Sequence, residues 1–301
     1  VYLTKKEKSY NYFLSEKLVL LSWLIEPLSF EFMRQAIAMG FFLGILSAVV
    51  GSYLILQQMG MMSGVISHAI LPGISLAFFL QISISIGAFI AGVLSALVVM
   101  IIDSRSRIKV DAAMALTLTS FLGLGVILIS LLQTNQVDLT NILFGDILGV
   151  TSKDVWQTGI ITAIILLLTK LFYKELEFYT FDPLGAKACG LPTNTMYFGL
   201  VCAITLTIVA SMQTVGVLLV MSLLVGSAIT AYLLVNQLQQ MMILGAIIGV
   251  ASTIGGMYLS YYLDLPSGAA IVLVVFSLFL LAFLFSPSQG ILTGSATKRN
   301  Q

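Results

Sequence analysis

Ala269-Ala270-Ile271-Val272-Leu273-Val274-Val275-Phe276-Ser277-Leu278-Phe279-Leu280-Leu281-Ala282-Phe283-Leu284-Phe285-Ser286 runs on without a charge, a glycine or a proline. That is close to the ~20 apolar residues a helix needs to cross a bilayer. Working back toward the N-terminus, comparable runs occupy 33–56, 61–80, 83–102, 112–132, 155–173, 196–212, 214–235 and 241–262. With 269–286 they predict an all-α, polytopic transmembrane helical bundle of about nine spans. Eight remain if Gln213, where only a very tight hairpin fits, does not separate the sixth from the seventh. Composition agrees, with 59% of the 301 residues hydrophobic, 9% charged and a mean hydropathy of +1.06. A soluble domain carries about 25% charged residues, so this chain lacks the charge to cover a water-facing surface. A net charge of +1 supplies no basic face for nucleic acid. Cys189 and Cys202 alone make neither a disulfide framework nor a zinc cluster.

Residues 1–32 form a charged and interfacial segment ahead of a membrane domain over 33–290 and a tail over 291–301. Lys5, Lys6, Glu7 and Lys8 open it, and Leu18–Ile25 is too short to cross. That piece reads as an interfacial helix ending at Glu26-Pro27, with Trp23 at headgroup level. No small-residue cleavage site follows it, which argues against a secretory signal. Arg105, Arg107 and Lys109 lie in one loop, Lys174 and Lys187 in another, Lys298 and Arg299 in the tail. Nine spans put all three on one side, and the bias of Lys and Arg toward cytoplasmic loops makes that side the cytoplasm. Asp138, Asp146 and Asp154 then lie outside. The basic N-terminus does not fit this count. Two GxxxG pairs, Gly40/Gly44 and Gly245/Gly249, suit close helix packing in lipid.

Nearly every ionisable residue falls in a loop or at a span end. His68 is the exception, inside Ser63-Gly64-Val65-Ile66-Ser67-His68-Ala69-Ile70-Leu71-Pro72-Gly73. An ionisable group at membrane depth is a functional-site hypothesis by default. Pro72 has no N–H, so the His68 carbonyl loses its helical donor and a break is expected there. A freed carbonyl and an imidazole then emerge from one broken helix with Ser67 beside them, and such backbone is tolerated at membrane depth where it lines a cavity or is buried in protein. Two readings stay open: a structural imidazole bonded to a neighbouring helix, or a ligand for a borderline transition metal. One histidine is too few for a tight site, so other ligands or a second copy of the chain are needed.

Ile66-Ser67-His68-Ala69-Ile70-Leu71-Pro72-Gly73 resembles the I-S-H-A-V-L-P-G signature of the membrane subunits of ATP-binding-cassette importers for zinc, manganese or iron. Four further blocks are similar in order and spacing: Phe144–Gly149 (F-G-D-I-L-G), Phe181-Asp182-Pro183 with Ala186-Lys187-Ala188 and Gly190, Gln213–Val220, and Ser260–Ala269. The resemblance covers about 26–286 and looks nearest the manganese branch. Two positions depart from it. Gly64 stands where the family commonly has an aspartate, and Ser227 where it has a proline.

The resemblance implies a type II importer-like permease, multi-pass in the bacterial plasma (inner) membrane, that hydrolyses nothing itself and binds no permanent cofactor. It implies a homodimer, a periplasmic or lipid-anchored metal-binding protein outside, and a separate cytoplasmic ATP-binding subunit. Manganese is the expected cargo, with zinc or iron as the other choices. His68 and Ser67 are the expected metal contacts; with Gly64 offering no carboxylate, the freed carbonyl, Met62 or water would complete them. Phe181, Asp182, Pro183, Lys187 and Gly190 are the expected ATPase contact, or else a plain connecting loop. On the outer side, Asp146 and Asp264 either attract a cation, face the binding protein, or are structural; Asp264-Leu265-Pro266-Ser267 also reads as a turn capping the last span. A gradient-driven secondary transporter or channel is the rival class, but no central carboxylate is present to couple protons or sodium. An intramembrane protease fits less well, because adjacent Ser67 and His68 face different ways on a helix.

Overall fold

Without water to satisfy backbone groups, a lipid-embedded chain this apolar must bond its amides internally, and helices do so within each segment. The structure, a computed structural model, describes residues 26–132, 145 and 147–286. Among them nine helices are long and apolar enough to cross a membrane. They are α1 (Glu31–Leu56), α2 (Met62–Phe79), α3 (Ile84–Arg105), α4 (Val110–Leu131), α5 (Ser152–Leu171), α8 (Thr193–Val215), α9 (Val217–Leu234), α10 (Leu238–Leu263) and α11 (Ser267–Phe285). Two short helices, α6 (Tyr173–Phe181) and α7 (Pro183–Ala188), lie between α5 and α8. The expected interfacial helix and the tail fall outside the described residues.

The sixth and seventh spans are separate, and the joint is a single residue. Gly216, at φ +82°, is the one non-helical position between α8 and α9. Gly145 lies directly against it: a Cβ there would sit 2.2 Å from the Gly216 amide nitrogen. Gly145 also has φ +62°. Both its backbone conformation and its closeness to the joint therefore exclude a side chain. Two blocks read separately along the chain thus meet as one corner.

The two GxxxG pairs pack on each other. A Cβ on Gly44 would come within 2.7 Å of the Val250 nitrogen, and one on Gly249 within 3.0 Å of the Gly44 Cα. α1 and α10 therefore touch backbone to backbone, the approach that small residues permit in lipid. Because backbone atoms cannot swing aside, Gly44→Val is expected to destabilise the bundle by about 1–3 kcal/mol. Unfolding of the purified protein in mixed micelles measures this.

The ends sort by charge. The C-termini of α1 and α3 and the N-termini of α4 and α8 border one cleft through Gln57, Asp103, Val110 and Tyr197, together with Lys187 of α7. The Arg105–Lys109 loop and the Lys187 loop thus share one end of the molecule, as the span count requires. At the opposite end, Met33, Ile147, Val215, Met257 and Ile271 form one buried cluster.

Candidate functional site

α2 is a continuous helix from Met62 to Phe79 with Pro72 inside it. The expected break does not occur. Proline removes one hydrogen bond and crowds the preceding turn, but α2 continues through it between close-packed neighbouring helices. α4 lies against the ring, where a Cβ on Gly125 would be 3.0 Å from Pro72 Cδ. α3 closes the other side, where a Cβ on Gly73 would be 2.4 Å from the Gly87 carbonyl oxygen.

Hydroxyls inside helices commonly bond back to the carbonyl one turn earlier. Ser52 donates to Ala48, Ser75 to Leu71, Thr205 to Val201 and Thr253 to Gly249, at 2.5–3.0 Å. Ser67 does not. Its Oγ is buried with no partner, and so is Nδ1 of the adjacent His68. A buried polar atom left unpaired costs about 1–3 kcal/mol, so adjacent orphans mark a place that an added ligand would stabilise. From Met62 to Ser75, His68 is also the one residue that is not buried. Its Nδ1 has no hydrogen-bond partner among the described residues, and the ring is only partly buried in a helix otherwise enclosed by protein.

Gly64 lies one turn before His68, on the same face. A Cβ there would meet Met221 Cε at 3.3 Å and Leu118 Cδ1 at 3.4 Å. Both are the free ends of flexible side chains, so the position tolerates a side chain. Met62, weighed above as a sulfur ligand, is instead fully buried in the main core cluster. Met221 is the thioether beside Gly64. Nothing in the local sequence of α2 signals it, because it arrives from α9. Two residues after Met221, α9 widens into a π-helical turn over Leu223–Ser227, a distortion frequent at functional sites. Ser227, at the family's proline position, donates from Oγ to the Leu223 carbonyl within this turn. Among the described residues no three His, Cys, Asp or Glu gather closely enough to hold a metal ion.

The Phe181–Gly190 block is a helix with both ends capped. Asp182 accepts from the Gly185 amide at 2.8 Å and Pro183 follows at the first helical position. At the far end Gly190 has φ +83°, with bonds from Gly190 N to Lys187 O at 3.1 Å and Leu191 N to Ala186 O at 3.0 Å, the pairing that ends a helix on glycine. Ala186 is fully buried, while Leu184 is 81% and Phe181 59% exposed. Lys187 is exposed as well. The helix is anchored by its small residue and displays its large ones at the basic end of the molecule. Behind it lies a cleft of about 350 Å³ bordered by Asp103, Tyr179, Leu184 and Tyr197.

At the opposite end, Asp264 is exposed and left-handed at φ +51°, closing α10 as its C-cap. The expected N-cap role is corrected: Pro266 precedes α11, with no side-chain cap. Asp146 lies outside the described residues.

A model of the ABC 3 transport family matches residues 29–286, the whole of the membrane domain described above. The chain belongs to the ABC 3 transport family. This ABC 3 protein is 43% identical over 266 residues to the manganese transport system membrane protein MntC of Halalkalibacterium halodurans, covering 88% of this chain and 91% of that one. A Haemophilus influenzae relative whose name refers to iron transport is 38% identical over 264 residues, covering 88% and 97%. Among solved structures, PsaBC from Streptococcus pneumoniae in complex with Fab superposes with a TM-score of 0.81 at 36% identity, covering 94% of this chain and 100% of that one. The all-helical architecture of this ABC 3 protein is therefore that of an ABC transporter permease.

Proposed function

We propose that this chain is the membrane permease subunit of an ATP-driven importer of divalent transition metal ions, with manganese as the main cargo. The observation that carries the reading is the pair of buried, unpartnered polar atoms on Ser67 and His68 in α2. Neutral imidazole suits a partly dehydrated divalent ion, and a metal ligated by His68 would relieve its orphaned Nδ1. One histidine per chain is a partial coordination sphere, so a second copy across a two-fold axis completes it. The names of the relatives favour manganese, with iron as the nearest competitor. α7, capped and displaying Leu184 and Lys187, is with the adjoining Phe181 of α6 the contact for a separate cytoplasmic ATPase subunit, and ATP hydrolysis is assigned to that subunit. A metal-binding protein delivers the ion at the opposite end, where Asp264 lies.

Deleting the gene in its host is expected to abolish high-affinity manganese uptake from trace concentrations, and the wild-type copy to restore it. Undiminished uptake in the deletion strain would reject the reading. Gly64→Asp is expected to retain the fold, because only Met221 and Leu118 side-chain ends must yield. It places a hard oxygen ligand one turn from His68, so manganese binding should tighten by about tenfold, with slower release. Equilibrium binding of manganese to the purified variant measures it.

A further inference from the structure

We infer that Met221 supplies a thioether to the His68 site, making it a mixed nitrogen–sulfur site that ranks softer cations such as zinc above manganese more steeply than an oxygen-lined one. The inference rests on the import reading and deepens it by naming a residue that sets cargo preference. Three observations meet here. Gly64 leaves the face of α2 beside His68 without a side chain, and the Met221 methyl lies 3.3 Å from where one would begin. Sδ is bonded directly to that methyl carbon, while residues one turn apart on a helix have Cβ atoms about 5–6 Å apart. Met221 therefore packs over the same face of α2 that carries His68 one turn further on. Nδ1 of His68 and Oγ of Ser67 are both without a protein partner. Finally, Met221 is half-buried at the edge of the main core cluster, and a π turn follows it in α9.

The chemistry separates this site from a carboxylate one. A carboxylate is a hard, charged ligand suited to manganese; a thioether is soft and neutral, and it favours later, more polarisable ions. Leucine matches methionine in volume without the sulfur, so Met221→Leu removes the ligand atom and leaves the packing.

The test uses the purified full-length chain with zinc or manganese added alone. Zinc K-edge absorption of selenomethionine-labelled wild-type protein should show a selenium neighbour in the first shell, and Met221→Leu should lose it. In the same variant the ratio of zinc to manganese affinity should fall about tenfold. A zinc spectrum without selenium overturns the inference even if the variant does not fold. So does an affinity ratio within twofold of wild type. If neither metal binds the wild-type chain saturably, the import reading itself fails and takes this inference with it. If both bind and His68→Gln weakens them while Met221 proves irrelevant, the import reading stands and only the thioether assignment is lost.

Discussion

His68→Gln is expected to lower metal uptake by roughly ten- to hundredfold while leaving expression, insertion and subunit association intact. Glutamine keeps hydrogen-bonding capacity at nearly the same size, but its amide is a poor metal ligand. A histidine that served only packing would tolerate the exchange. The structure makes the substitution tolerable for folding, since the imidazole Nδ1 has no partner among the described residues and the ring is only partly buried. The wild-type protein should also show a specific pH profile. Only neutral imidazole can ligate, so uptake is present above its pKa and is lost as pH falls through that value. Initial rates of radioactive manganese entry across that range check both points. Near-normal rates in His68→Gln would assign the residue a structural role.

Leu184→Asp combined with Lys187→Glu is expected to abolish co-purification of the ATPase subunit and to stop transport at the same time. Both side chains are exposed, so the change should not cost the chain its fold. Asp182→Ala acts on the same helix by another route. It removes the cap that holds Gly185, worth about 1 kcal/mol, and should loosen α7 and reduce association only in part. A graded series of this kind separates a docking helix from a plain connector. If association survives the double substitution, the ATPase binds elsewhere.

Much of this was legible along the chain because lipid imposes simple rules. A run such as 269–286 has one stable outcome, and all nine spans appear as helices within a few residues of their expected bounds. The caps of α7 were also readable, since Asp182-Pro183 and Gly190 act on their own backbone. What was not legible depends on residues far apart. Pro72 predicts a break by local rules, but Gly125 and Gly73 let α4 and α3 close around α2, which continues as a helix. The two GxxxG pairs were recognisable as packing surfaces, whereas their mutual contact, some two hundred positions apart, carried no local sign. Asp264 illustrates a different ambiguity. An aspartate before a proline suits either the end of one helix or the start of the next, and its left-handed backbone settles it as an end. Met221 was missed for the same reason as the GxxxG contact: it reaches Gly64 from another helix.

The central claim is that this chain carries a divalent transition metal across the membrane at the expense of ATP hydrolysed by a partner. Its most direct test is manganese accumulation by proteoliposomes containing the native complex captured through this chain, with its metal-binding protein supplied on the outer face. ATP enclosed inside should drive saturable accumulation against a gradient, and removing ATP or blocking its hydrolysis should stop it. Accumulation that proceeds without ATP, driven by an imposed proton or sodium gradient, would contradict the account.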